Sequence, residues 1–305
     1  MEDLRARLAR GEALVGDGAL GTLVMERGLP PSRPPEWLVL EKPEALVEVA
    51  RLYVEAGADL VTTDTFGASR LRLAMHGLAG DVERINRRAV ECVREAVGGR
   101  VYVSASVGPT GRLLAPLGDT EPAEAEAGFA EQAVALAAAG ADLFCVETMT
   151  DLVEATCAVR AARAAAPRLP VMATMTFERT PRGFFTVMGV PVERAMRGLA
   201  EAGADVVGAN CGAGGAEMLD LAREILRHAR RPVIVQPNAG LPVTRDGRTV
   251  YPETPDTLAG HAREMLGLGV AIVGGCCGTT PDHVRALRAV VDRRRARAGP
   301  VTGER

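Results

Sequence analysis

The feature that most constrains this chain is a junction it repeats. Glu55-Ala56-Gly57-Ala58-Asp59 precedes Leu60-Val61-Thr62, Ala139-Gly140-Ala141-Asp142 precedes Leu143-Phe144-Cys145-Val146, and Glu201-Ala202-Gly203-Ala204-Asp205 precedes Val206-Val207. Leu268-Gly269-Val270 is a degraded fourth copy before Ala271-Ile272-Val273. In each copy a helical pattern stops on glycine, which suits a helix C-terminus, and the chain enters a short apolar strand. Helix, glycine and strand at intervals of roughly 60–80 residues point to paired βα units.

Filling the gaps gives eight strands, at 13–17, 59–64, 101–106, 142–147, 170–176, 205–210, 232–236 and 270–274. Helical patterns follow at 43–56, 82–98, 122–139, 151–165, 191–202, 215–229, 256–267 and 281–297, the last opening on a Thr280-Pro281 start signal. Strands apolar on both faces and separated by helices indicate a parallel sheet. Eight such units in 305 residues fit an α/β fold, a single (β/α)8 TIM-barrel domain over 1–305, with an open doubly wound sheet as the other solution.

Composition narrows the function. A net charge of −3 offers nothing to a nucleic acid, and the basic run Arg293-Arg294-Arg295 ends a helix, where cations are favoured anyway. No stretch reaches a membrane span's length and no signal peptide opens the chain, so a cytoplasmic protein without a membrane partner is expected. In that compartment six cysteines argue for metal binding, catalysis or burial, not disulfides. Of 36 basic residues only Lys42 is a lysine, and it stands before a helix, not at a strand end. That disfavours Schiff-base and lysine-base chemistry.

The longer connections, 18–42, 107–121, 237–255 and Phe177–Gly189, all follow strands, and so lie on the face where barrels build active sites. The last, with Arg182-Gly183, is expected to form a hairpin over the mouth. Ionisable and polar residues gather at the same ends: Asp17-Gly18, Asp64, Ser106, Glu147, Asn210-Cys211, Asn238 and Cys276-Cys277. Gly16-Asp17-Gly18-Ala19-Leu20-Gly21 matches a dinucleotide fingerprint, but the next strand begins some 40 residues later and Pro30, Pro31, Pro34 and Pro35 intervene. Nicotinamide binding is rejected; the glycines suit backbone N–H groups facing a small anion, with Asp17 beside them.

Cys92 and Cys157 fall in helical patterns and Cys145 inside a strand, so all three read as buried thiols. Cys211, Cys276 and Cys277 stand at the ends of strands 6 and 8. Consecutive strand residues point to opposite faces, so Cys276 and Cys277 share one ion only if the strand has broken, and Gly274, Gly275 and Gly278 provide the break. Spacing leaves two readings: three thiolates on a zinc with an open position, or a glycine turn packed by small apolar residues. None of His76, His228, His261 and His283 is placed to complete the set.

Asp17-Gly18-Ala19-Leu20-Gly21-Thr22, Glu147-Thr148, Gly208-Ala209-Asn210-Cys211, Pro237-Asn238-Ala239-Gly240 and Gly274-Gly275-Cys276-Cys277-Gly278-Thr279 together resemble the zinc-dependent homocysteine S-methyltransferases, from about residue 12 to 295. The resemblance implies zinc on Cys211, Cys276 and Cys277, with the homocysteine sulfur in the open position. It implies Asp17 and Glu147 on the amino group, backbone N–H groups near Gly18 on the carboxylate, and Ser106 and Asn210 in the substrate-binding set. It implies Asn238 as a fourth ligand in the absence of substrate, and methionine as product with no base beyond the metal. Thr148 stands where the betaine-using branch carries tyrosine. The expected methyl donor is a separate corrinoid or folate protein, or a small sulfonium such as S-methylmethionine. The competing reading is a non-metal barrel enzyme with a phosphorylated metabolite on the glycine-rich ends of strands 7 and 8.

Overall fold

A computed structural model describes residues 1–30, 32–245 and 248–298. Residues 299–305 of the expected 1–305 domain lie outside the described residues. Eight parallel strands form one sheet: β1 Leu14–Val15, β2 Leu60–Thr62, β3 Tyr102–Val107, β4 Leu143–Met149, β5 Val171–Met175, β6 Val206–Asn210, β7 Val233–Gln236 and β8 Ile272–Val273. Eight long helices alternate with them: α1 Pro43–Glu55, α2 Val82–Val97, α3 Pro122–Ala138, α4 Leu152–Ala165, α5 Val192–Ala202, α6 Gly215–His228, α7 Pro255–Leu268 and α8 Pro281–Ala298. Ladders run from β2 through β3, β4, β5, β6, β7 and β8 to β1, so the sheet curls into a nearly closed barrel.

The repeated junction has a physical meaning here. Gly57, Gly140, Gly203 and Gly269 take φ of 94°, 91°, 111° and 112°, the left-handed turn that ends a helix and that a side chain would strain. The following aspartates clamp a neighbouring strand. Asp59 donates its N–H to Val15 O (2.7 Å) and accepts the Val15 N–H on its carboxylate (2.9 Å). Asp142 does the same to Val103 (3.0 and 2.8 Å), and Asp205 to Val171 (2.8 and 2.9 Å). Arg288, Arg94 and Arg163 close the outer side of these three carboxylates. In the fourth copy Ala271 keeps only the backbone bond, to Val233 O at 2.9 Å.

Each strand is apolar on both faces because it packs two layers. Leu14, Leu60, Tyr102, Leu143, Met172, Val206, Ile234 and Ile272 form one inner cluster, while Val15, Val61, Val103, Phe144, Val207 and Val273 belong to the cluster shared with the helices. Sequence periodicity assigns no element before residue 13. The structure has a helix over Leu4–Ala9, capped by Asp3, whose Leu4 and Leu8 join the inner cluster and plug the barrel from below. Short helices over Leu20–Glu26, Trp37–Glu41 and Arg70–Ala74 and a hairpin pairing Val243–Arg245 with Arg248–Val250 also sit in loops that carried no clear periodicity.

The 178–190 segment is a hairpin, pairing Glu178–Thr180 with Gly183–Phe185. It does not lie over the mouth. Arg179 bonds Asp220 on α6 at 2.6 Å, Phe184 is buried, and no residue of the hairpin lines the central cavity. Charge ties the hairpin to the flanking helix, where Arg179 pairs with Glu217 and Asp220. No helix among the described residues is long and apolar enough to cross a membrane.

Candidate active site and metal centre

The cysteines meet because two strands stop early. β6 ends at Asn210, and Cys211 follows with φ 61°, a left-handed backbone that non-glycine residues rarely adopt. β8 ends at Val273, so Cys276 and Cys277 stand in a loop, free of strand alternation. That loop is pinned. Gly275 N–H donates to Asp17 O (2.8 Å) and Cys276 N–H to Pro237 O (2.7 Å). Cys277 O accepts from Ala239 N–H (3.0 Å), and Cys276 O accepts the Thr279 hydroxyl (2.7 Å).

The three sulfurs lie within 4.8 Å of one another, with Cys211 and Cys277 4.0 Å apart. Tetrahedral ligands at a zinc–sulfur length near 2.3 Å sit roughly 3.8 Å apart, so the cluster could hold a metal ion. Hydrogen bonds from the Cys276 and Cys277 thiols pull the Cys211 thiol down to about 3, and the same contacts push Cys276 and Cys277 up, the latter to about 11. A cation among the three sulfurs would favour the thiolate form of all of them. Asn238 is buried beside Cys211, and its Oδ1 has no hydrogen-bond partner. A buried amide that reaches Cys211 and keeps an unpartnered oxygen fits a reserve ligand of a metal shell. Cys92, Cys145 and Cys157 are buried, with thiols pushed up by burial.

Beside the cluster opens a cavity of ≈260 Å³, at the small end of metabolite sites. The cysteines form one wall; Asp17, Gly18, Ser106 and Glu147 form another, with Pro35 and Phe66 toward the rim. Burial pushes the Asp17 carboxyl up to about 7 against two hydrogen bonds from Thr62. Burial pushes Glu147 up to about 6, opposed by the Ser106 hydroxyl at 2.5 Å. Asp64 also reaches the cavity; its Oδ2 has no partner, and burial, then the nearby Glu36, holds its carboxyl well above the usual range. Among the described residues, no lysine, arginine or histidine lines the cavity.

Asn210 is the one expected substrate residue set back from the cavity. Its Oδ1 accepts from Thr148 N–H (2.8 Å) and the Thr174 hydroxyl (2.7 Å); its Nδ2 donates to Thr148 Oγ1 (2.7 Å) and Glu147 Oε2 (3.3 Å). It braces the strand ends carrying Glu147 and Cys211. Of the histidines, His261 bonds Glu253 and His283 faces Thr280, so neither joins the sulfurs. Sequence reasoning missed Thr62, Pro35 and Phe66. Thr62 precedes the noted Thr63-Asp64-Thr65 end, and the others stand in loops where no periodicity marks them.

Comparison with known proteins follows the same lines. A family model described as homocysteine S-methyltransferase matches residues 14–291. The methionine synthase of Mycobacterium leprae (strain TN) is 36% identical over 310 residues, covering 95% of this chain and 25% of the relative. That of Mycobacterium tuberculosis is 37% identical over 297 residues, covering 91% and 24%. The chain therefore spans about a quarter of the length of these relatives. Among solved structures, the metallated homocysteine methyltransferase MmuM from Escherichia coli aligns with a TM-score of 0.77 at 26% identity, over 94% of this chain and 99% of that one.

Proposed function

The chain belongs to the homocysteine S-methyltransferase family, and from that premise we propose that it transfers a methyl group to the thiol of homocysteine, giving methionine, at a zinc ion held by Cys211, Cys276 and Cys277. The observation that carries this reading is the juxtaposition of three convergent sulfurs, the buried Asp17 carboxyl and the half-buried Glu147 carboxyl across one small cavity. Bound there, zinc would lower the pKa of the substrate thiol and keep the thiolate available as nucleophile.

The residues of the chain do the rest. Glu147 and Asp17 receive the amino group: their raised pKa values mean that a bound ammonium ionises them and gains a buried partner. Ser106 orients Glu147 through its 2.5 Å hydrogen bond. Asn210 holds Thr148 and Glu147 in register with Cys211. The Gly18–Thr22 segment lines the same cavity and faces the substrate carboxylate. Asn238, buried with an unpartnered Oδ1, would be the protein group available to the metal when substrate is absent. Six free thiols suit a reducing, cytoplasmic location.

The methyl donor is either a methylcorrinoid or methyltetrahydrofolate system on a separate protein, or S-methylmethionine. An apolar, exposed Phe66 on the cavity lining supports a donor that approaches from the open face, and Leu113, Leu117 and Leu241 are exposed in other loops that follow barrel strands. The phosphorylated-metabolite reading loses support, because a phosphate dianion in this cavity would meet three carboxyls and no cation.

The test is methionine formation by zinc-loaded protein from homocysteine and a panel of S-methylmethionine, methylcobalamin-loaded corrinoid protein and methyltetrahydrofolate. Methionine from at least one donor is expected. Zinc-loaded, folded protein that neither binds homocysteine nor turns over any donor overturns the reading.

A further inference from the structure

Gly18 and Gly275 flank the site, yet neither takes a left-handed backbone that would call for glycine. What they share is one neighbour. A Cβ at Gly18 would lie 2.8 Å from Thr279 Oγ1 and 2.9 Å from Tyr53 Oη. A Cβ at Gly275 would run into the same Thr279 hydroxyl and lie 2.7 Å from Thr279 Cβ. Glycine at both positions therefore lets two loops close around a single buried side chain.

Thr279 is fully buried and does not line the substrate cavity. Its hydroxyl accepts the Ala19 N–H (3.0 Å) and donates to Cys276 O (2.7 Å). No other assignment satisfies both partners, because an amide N–H only donates and a carbonyl only accepts. Tyr53, also buried, donates its hydroxyl to Ala19 O at 2.8 Å, with Thr279 O more distant at 3.4 Å. The segment that lines the cavity after β1 is thus hydrogen-bonded, through one hydroxyl, to the main chain of a cysteine of the cluster. The Ala19 N–H is also taken up there, so the substrate carboxylate must find its donors elsewhere in the Gly18–Thr22 segment.

We propose that Thr279 is a positioning residue that couples substrate binding to the metal centre: its hydroxyl sets the spacing between the segment that receives the homocysteine carboxylate and the loop that carries Cys276 and Cys277. The inference rests on the function proposed above. Homocysteine has two ends to seat at once, a carboxylate and a sulfur, and only two methylenes beyond the α-carbon between them. A cavity that holds both must keep its two walls at a fixed separation, and small misplacements of either wall are costly. Asp17 O, which accepts the Gly275 N–H at 2.8 Å, ties the same walls one turn of chain away. Thr279 is the side chain in this seam, and the hydroxyl is the part of it that reaches both sides.

The test compares Thr279→Val, which keeps the shape and removes the hydroxyl, with Thr279→Ser, which keeps the hydroxyl, and with Tyr53→Phe. Homocysteine KM and kcat, zinc transfer to a chelator and the melting temperature are measured on zinc-loaded protein. Thr279→Val should raise KM ~10-fold, the scale of one lost hydrogen bond, with a smaller change in kcat. It should also release zinc ~10-fold faster, the low end of what outer-shell partners contribute. Thr279→Ser should restore both. Tyr53→Phe frees only Ala19 O, so it should raise KM and leave zinc release at the parent's rate. A residue that served packing alone would lower the melting temperature and move neither KM nor zinc release. Folded Thr279→Val with the parent's KM and zinc release overturns the proposal; if Thr279→Val fails to fold, Tyr53→Phe with the parent's KM overturns it. Parent protein that binds neither zinc nor homocysteine would instead remove the proposed function, and the coupling with it.

Discussion

Asp17 accepts two hydrogen bonds from Thr62, 2.6 Å from the backbone N–H and 3.0 Å from the hydroxyl, across the seam where β1 and β2 share no ladder. The carboxylate proposed to hold the substrate ammonium therefore also fastens the barrel. Thr62→Val keeps the N–H and removes the hydroxyl. Losing one hydrogen bond to a charged group costs on the order of 1–2 kcal/mol, paid at pH values where Asp17 is ionised. The variant should melt a few degrees lower at pH 8 than the parent, nearly coincide with it at pH 5, and show a raised KM for homocysteine at pH 7. Equal melting at both pH values would show that the hydroxyl contributes nothing to the seam.

The two raised carboxyls set a pH dependence. Burial holds Glu147 near about 6 and Asp17 near about 7, above the usual range near 4. Below those values the carboxyls are neutral and cannot pair with an ammonium, so kcat/KM for homocysteine should rise with pH through 6 to 7. Glu147→Gln should remove the lower step and raise KM ~100-fold while zinc content stays at one per chain, since truncating one side of a buried charge pair costs several kcal/mol. The sign for stability is opposite. A folded-state pKa raised for an acid gives stability that is present below the unfolded value and lost as pH rises through the folded one. Substrate-free Glu147→Gln should therefore be more stable than the parent at pH 8, by on the order of 2 kcal/mol, in denaturant titrations.

Asn210 sits between two strained positions, Thr148 at φ 59° and Cys211 at φ 61°. Its amide bonds Thr148 on both sides, so it holds one left-handed residue while preceding the other. Asn210→Ala would strand the buried Thr174 hydroxyl, at about 1–3 kcal/mol for an unsatisfied buried group, and free the half-buried Thr148 N–H. Asn210→Asp keeps the acceptor but sets a second charge 3.3 Å from Glu147. Both should lose stability, and Asn210→Asp should weaken homocysteine binding more than it weakens zinc binding. Calorimetric titration of each ligand separates the two effects.

The barrel was legible because its cause is periodic. A helix ending on glycine and a strand apolar on both faces recur often enough that eight strands and eight helices fall within a few residues of their places. The aspartates of three junctions, Asp59, Asp142 and Asp205, were visible too, but their clamp on the neighbouring strand depends on which strands are adjacent. The cysteines were legible as strand-end residues, and the glycines around Cys276 announced the break that frees them. The helix over Leu4–Ala9 was hidden because six residues are too few to show a period. Phe66 was hidden because a loop residue has no period, and only the folded chain brings it to the cavity. The hairpin at 178–190 was recognised, yet its direction depends on Asp220, a helix surface acid that no local pattern singles out.

Removing the metal tests the centre as a whole. Three thiols within 4.8 Å are held by pinned loops, and without an ion only Cys211 is readily ionised. Binding a cation releases the remaining protons and makes its binding energy part of folding energy. At a free zinc concentration ~1,000 times Kd the gain is about 4 kcal/mol, or roughly 6–10 °C for a chain of this size. Chelator should lower the melting temperature by that amount, and acidification should release the ion as the thiolates reprotonate. Cys211→Ser, Cys276→Ser and Cys277→Ser should each reduce zinc well below one per chain and abolish the chelator shift. Cys92→Ala, in the core between α2 and the strands, should lose some stability yet keep both the zinc and the shift. A chelator-insensitive parent, or full zinc content in Cys276→Ser, would show that the sulfurs converge for packing alone.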